Sequence, residues 1–384
     1  MKTILCILLV GAMTTLQAQS VQKNKKEIKK LKIELPKGEL SFSLYSDFGY
    51  VIGPQKTNTY YDFITKDTVT DFGRRDFTSY PLYANSFAMS YGFIQAQYEI
   101  ENKLKVKLAF HAGHIVEALY TEEMNSLKFI RESSVSYNFS KKFSAEMGIF
   151  PSYYGAEIVL NKENFHATRA YIADFTPDYE AGIRAHFEVN KNLKLRAMLL
   201  NGWQEIKDLN GKKAFGLGLS YAKEKKMNLD WHIYMGNETP LGSSMHKYRF
   251  YSNLYSKIFL GEKWIVFPVL DFVVQERENQ TKGLDYVVAP AFSARYQLNK
   301  NFAVATRYEY LYNKFDIVPE LKTNTPNGWQ SNSFTLTFEY TPIKELTFRA
   351  EGRYGWNKDK VFRNSTNGLT RIDEYVILAT SFYF

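Results

Sequence analysis

The chain has 384 residues, with 49 lysines and arginines against 40 aspartates and glutamates, a formal net charge of +9, 57 Tyr and Phe residues (28 and 29) and one cysteine. A single cysteine excludes a disulfide framework, and Cys6 lies in an N-terminal apolar run whose removal leaves no thiol for catalysis or for zinc. After that run no apolar stretch approaches the ~18 residues of a spanning helix, so the aromatic richness needs another arrangement.

The first residues predict a secretory signal peptide over 1–18. Lys2 supplies the positive start, residues 4–13 the apolar run, and Leu16-Gln17-Ala18 a small residue for cleavage. The run is too short to span a bilayer. Cys6 sits near its start rather than after it, which excludes lipid attachment there. Residues 19–38 carry the basic stretch from Lys23 to Lys32 and are expected to form a solvated periplasmic lead.

From residue 39 onward apolar and polar residues alternate. Leu40, Phe42 and Leu44 alternate with Ser41, Ser43 and Tyr45; Val106, Leu108 and Phe110 with Lys107, Ala109 and His111; Ile183, Ala185 and Phe187 with Arg184, His186 and Glu188. The pattern recurs around Met147, Leu217, Trp231, Val304 and Phe348, and in the last strand, where Val376, Leu378, Thr380 and Phe382 share a face up to the terminal Phe384. Successive side chains on a strand point to opposite faces, so one face is apolar and the other small, polar or charged. Short turns at 101–103, 140–142, 190–192, 223–225, 261–263, 299–301 and 341–344 alternate with long segments at 51–85, 116–127, 151–178, 203–212, 237–247, 276–283, 313–329 and 357–370. Seven turns and eight loops join about 16 strands, an even number, with both termini at the short-turn end. The predicted fold is all-β: a transmembrane antiparallel up-and-down barrel over 39–384, with short periplasmic turns and long extracellular loops. A soluble sandwich also alternates, but needs no such loop rhythm. Tyr50, Trp203, Trp329, Trp356 and Phe384 lie near strand ends and are expected in interfacial girdles.

The stretches Gly148-Ile149-Phe150-Pro151-Ser152-Tyr153-Tyr154-Gly155, Thr168-Arg169-Ala170, residues 173–182, Asn201-Gly202-Trp203-Gln204 and Gly236-Asn237-Glu238-Thr239-Pro240 resemble those of the β-barrel porin-2 (OmpL-like) family, over roughly 39–384. The resemblance implies an outer-membrane porin and passive transport, names no solute, and brings no catalytic residues.

The inward face carries the functional candidates: Lys105, Lys107, Glu146, Arg184, Lys194, Arg196, Arg295, Arg307, Glu309, Arg349, Glu351 and Arg353. Arg or Lys on the lipid side costs ~2–4 kcal/mol at the midplane, so these groups imply a polar, water-containing lumen. If the 151–178 loop folds inward, its Glu157, Glu163, Asp174 and Asp178 would face the arginines of the last strands across a charged constriction. The alternative is that those arginines pair with Glu309 and Glu351 and brace the wall. The surplus of base predicts a weak anion preference. His111 and His114, three apart on a strand, would point to opposite faces and so form no metal pair. No Gly-x-Ser-x-Gly motif and no P-loop occur, and His111, His186 and His232 face inward, away from a lipid substrate.

The sequence thus predicts a non-enzymatic porin for small hydrophilic solutes, without cofactor, metal or nucleic-acid partner, in the outer membrane of a Gram-negative bacterium. A plugged structural barrel and a lipid hydrolase are the alternatives. Membrane lipid and the barrel assembly machinery, reading the strand that ends in Phe384, are the expected partners. A homotrimer fits the predicted width, although no segment marks its face.

Overall fold

A computed structural model describes residues 32–35, 37–54, 57–62, 67–72, 75, 77–80, 83–243, 247–277, 283–318, 323–365 and 368–384. The predicted signal peptide (1–18) and the lead up to residue 31 lie outside the described residues. Sixteen long strands form the wall: β1 Gly38–Ile52, β2 Phe87–Ile100, β3 Leu104–Ala112, β4 Ile130–Asn138, β5 Phe143–Pro151, β6 Tyr179–Asn190, β7 Leu193–Leu200, β8 Ala214–Lys223, β9 Met227–Asn237, β10 Tyr248–Leu260, β11 Trp264–Glu276, β12 Leu284–Gln297, β13 Phe302–Asn313, β14 Trp329–Ile343, β15 Leu346–Asn357 and β16 Ile372–Tyr383.

Each strand pairs antiparallel with the next, and β16 returns to β1, with Tyr45 opposite Tyr383 and Ile52 opposite Val376. At the seam Leu44 N donates to the Phe384 carbonyl at 3.0 Å and Phe384 N to the Leu44 carbonyl at 3.1 Å. Closure leaves no unpaired wall edge, which hydrocarbon requires of any sheet that spans it. Among the described residues no helix is long and apolar enough to cross a membrane; the barrel crosses with strands. The end of the basic lead differs from expectation. Lys32–Leu35 is a strand rather than solvated coil, folding back on β1 with Lys32 opposite Ser41.

Burial separates the two faces of the wall. On β16, Val376, Leu378 and Phe382 are 44%, 49% and 41% exposed, while Ile377, Ala379 and Ser381 are 0%, 7% and 4% exposed. Turn chemistry sets the tight end: Glu101, Asn102 and Gly261 adopt φ of 48°, 54° and 70°, the left-handed region that tight turns use.

Two expectations fail, for one reason. Trp329 is 1% exposed and packs inward against Phe77, Tyr171 and Phe175. Trp203 lies edge-on to the inward Tyr234 and Tyr251. Neither belongs to a girdle, whereas Trp231, Trp264 and Trp356 do face outward. Nor is the inner face polar throughout. In the long-loop half, Tyr45, Phe150, Leu200, Tyr251, Val273, Val287, Leu311 and Ile377 are buried, because loops folding inward give them apolar partners.

Leu378→Arg is expected to cost ~2–4 kcal/mol of barrel stability and to abolish heat-modifiable gel mobility. Gln97→Arg, on the inner face beside Glu99, should leave that mobility intact.

Candidate functional site

The loop between β5 and β6 builds the interior. At its feet Gly148 and Gly182 face each other across the two strands, with φ of 137° and 158°. A Cβ at either would lie 2.1 Å from a carbonyl oxygen of the adjacent strand, so only glycine permits the approach. Beyond Pro151 the chain turns inward through short 3₁₀ turns at Asn161–Glu163 and Ile172–Asp174.

Its middle is bonded to β13, β14 and β15. These lie about half a turn around the ring from β5 and β6, so the loop crosses the lumen. Charged wall side chains satisfy its main chain. Glu351 accepts from Ala167 N at 2.6 Å, Thr168 N at 3.1 Å and Thr337 Oγ1 at 2.7 Å. Glu309 accepts from Tyr171 N, Ser333 Oγ and Arg353, each at 2.6 Å. Arg307 donates to the Thr168 carbonyl at 2.9 Å and to Glu157 at 2.8 Å, and Arg353 to the Arg169 carbonyl at 2.9 Å. Arg349 donates to the Asn164 carbonyl at 2.7 Å, to the Asn161 carbonyl, and to Glu339 at 2.6 Å. Ser331, Ser333, Thr335 and Thr337 of β14, all 0% exposed, form a bed of small hydroxyl residues under it.

A second segment pins the loop from the other side. Asp174 accepts from Thr78 Oγ1, Ser79 N, Ser79 Oγ and Arg169 Nε at 3.0, 3.2, 2.7 and 2.9 Å. Arg169 also donates to Asp178 at 2.7 Å. Burial lifts the Asp178 carboxyl to about 6, against the pull of Arg169. Arg75 pairs with Asp373 at 2.8 Å and stacks on Tyr375.

Arg307, Glu309, Arg349, Glu351 and Arg353 therefore point inward but are 1–5% exposed, covered by the loop rather than facing water. Of the four loop acids, Glu157 meets a wall arginine directly, Asp174 and Asp178 serve Arg169 within the loop, and Glu163 pairs with Lys162. Most other inward bases are paired on the wall: Lys105 with Glu99 at 3.3 Å, Lys107 with Glu132 at 2.8 Å, Arg184 with Glu146 and Lys194 with Glu188 at 2.6 Å, and Arg295 with Glu339 at 2.7 Å. Arg196 instead donates to Ser220 Oγ at 2.7 Å. Inward His111 bonds Tyr91, while His114 opens the short helix His114–Leu119, so the two do not share a strand. No metal-holding cluster occurs among the described residues.

The β14 bed was legible as the small-polar inward run Ser331, Ser333, Thr335 and Thr337, although its purpose depends on a loop distant in sequence. Segment 75–80 carried no comparable signal.

Glu351→Ala is expected to cost about 1–3 kcal/mol for each of the buried Ala167 and Thr168 amides that it leaves without an acceptor. Lys194→Ala, which breaks a half-exposed pair, should cost about 0–1 kcal/mol. Urea unfolding in vesicles, followed by tryptophan fluorescence, measures both.

Solved structures share this architecture. The anion-selective porin from Comamonas acidovorans aligns with a TM-score of 0.58 at 12% identity, over 90% of this chain and 100% of its own. The outer membrane channel DcaP of Acinetobacter baumannii gives 0.58 at 12%, over 93% and 100%. The trimer form of OmpT, an outer membrane protein of Vibrio cholerae, gives 0.54 at 11%, over 91% and 100%. At these identities the likeness shows the fold alone. Curated proteins gave no match. The family model described as "Putative beta-barrel porin-2, OmpL-like" matches residues 39–384, the whole barrel, and the chain belongs to that outer-membrane porin family.

Proposed function

We propose that the barrel is a passive channel for small hydrophilic solutes, narrowed by the loop that spans it. The observation that carries this reading is the crossing itself: residues 157–171 are held against β13–β15, opposite the strands that emit the loop. Solutes then pass between the loop and the remaining wall and leave at the short-turn rim, where Lys105 and Lys194 keep 37% and 52% of their side chains exposed.

A weak anion preference is part of the proposal, with a narrower source than total charge. Eight lysines and two glutamates precede residue 38, so six of the nine surplus positive charges lie ahead of the barrel. The wall is close to balanced and mostly paired. A small bias is left to inward cations that lack a carboxylate partner.

The proposed setting is an exported protein, delivered by a cleaved signal peptide to a Gram-negative outer membrane. Lipid covers the outward face, and the assembly machinery reads the strand ending in Phe384. A homotrimer is supported by the trimeric form of a structural neighbour. The buried aromatic clusters in the long-loop half favour one second reading, a plugged barrel.

Planar-bilayer recording of the purified chain separates the two: discrete steps support the channel, and a silent membrane supports the plug. In a KCl gradient the reversal potential should show a mild chloride preference. Arg307→Ala combined with Arg349→Ala removes two loop anchors, so the expected result is larger and noisier conductance with little change in selectivity. Unchanged conductance in that variant, with the loop shown to be released by protease cleavage, would contradict the loop as the narrowing element.

A further inference from the structure

Part of the inner wall holds an arrangement that ion pairing does not explain. Five rings follow one another along it. Tyr153 and His232 have centroids 6.0 Å apart with planes 11° from parallel; His232–Tyr255, Tyr255–Phe267 and Phe267–Phe165 follow at 6.1, 5.9 and 5.6 Å. Strands β9, β10 and β11 supply the middle three rings and the crossing loop the two outer ones.

A cation stands at each end of the row. The Arg196 guanidinium lies 4.2 Å from the Tyr153 centroid. The Lys257 ammonium lies 5.3 Å from the Phe165 centroid and 5.4 Å from that of Phe267. Unlike Lys105, Lys107, Arg184, Lys194 and Arg295, neither has a carboxylate ion-pair partner among the described residues. Gly218 keeps the floor beside Arg196 open, since a Cβ there would come within 2.8 Å of His232. Arg196, Tyr153, Tyr255 and Lys257 stay partly accessible, while His232 and Phe267, 1% and 3% exposed, form the floor. Three acids act on the pair without forming an ion pair with it: Glu163 and Glu157 of the crossing loop lie near Lys257, and Asp230, opposite Tyr255 across β9 and β10, accepts from Ser220, the hydroxyl that Arg196 also contacts.

We propose that this row is a binding track for planar aromatic carboxylates. A carboxylate can be received by the unpaired guanidinium or ammonium while its ring lies against Tyr153 or Tyr255. A small inorganic anion gains only the charge contact, and a neutral aromatic only the ring contact. The track names a solute class for the channel proposed above and rests on that reading for solute delivery, but its chemistry can be tested without current.

The test is saturation-transfer NMR of benzoate on the full chain in detergent, with cyclohexanecarboxylate as the non-aromatic control, alongside benzoate block of bilayer current. The wild type is expected to bind benzoate in preference to cyclohexanecarboxylate. Arg196→Gln with Lys257→Gln should weaken benzoate about tenfold, equivalent to ~1.4 kcal/mol. Asp230→Asn should tighten it, an effect of opposite sign that misfolding does not produce. Lys141→Gln, in a short turn at the barrel mouth, should change nothing. Equal benzoate binding by wild type and double variant, or no preference over the cyclohexane acid, overturns the track. Benzoate binding that the double variant loses, in a protein that passes no current, leaves the track standing and removes the channel.

Discussion

A chain laid across the inside of a barrel must find partners for its own amides and carbonyls. Everything distinctive about this interior follows from that requirement. Away from bulk water, an unsatisfied main-chain group costs about as much as a lost hydrogen bond. Here the partners are charged side chains of β13 and β15: Glu309 and Glu351 take loop amides, while Arg307, Arg349 and Arg353 take loop carbonyls. Such bonds to ionised groups are stronger than neutral ones, and four of the five charges also sit in ion pairs, while Glu351 is held by amides and hydroxyls. The loop is bound to the wall much as an extended peptide ligand would be.

This arrangement also separates the covered part of the inner wall from the accessible part. The wall behind the loop, with its hydroxyl bed and aromatic clusters, is packed like a soluble core. At the short-turn end of the barrel, Lys105 and Lys194 keep accessible charge. Arginines on the same inner face therefore do different work. Arg307 holds a loop in place, whereas Arg196, which has no carboxylate ion-pair partner among the described residues, donates to Ser220 on the wall.

Much was legible from the residues alone. The alternation, the long and short connections and the terminal Phe384 led to a closed barrel of 16 strands, and every short turn fell within three residues of its expected place. This worked because alternation is local: a strand facing lipid on one side must show period two wherever it lies in the chain. The same locality explains the misjudged tryptophans. Trp329 sits at a strand end, as a girdle residue would, but its direction was decided by Phe77 and Tyr171, which arrive from other loops.

By itself the sequence determined which side of each strand meets hydrocarbon and that the sheet closes, since both follow from residue order along one strand and from the cost of an open edge in a membrane. Only the tertiary structure decided which inward charges are covered and which stay free. Glu157 and Arg307 lie 150 residues apart, and Arg349 meets Asn161 across 188. Contacts at that separation are set by the curvature of the closed wall, which brings β5 and β15 to opposite sides of one lumen, and no local pattern of residues records it.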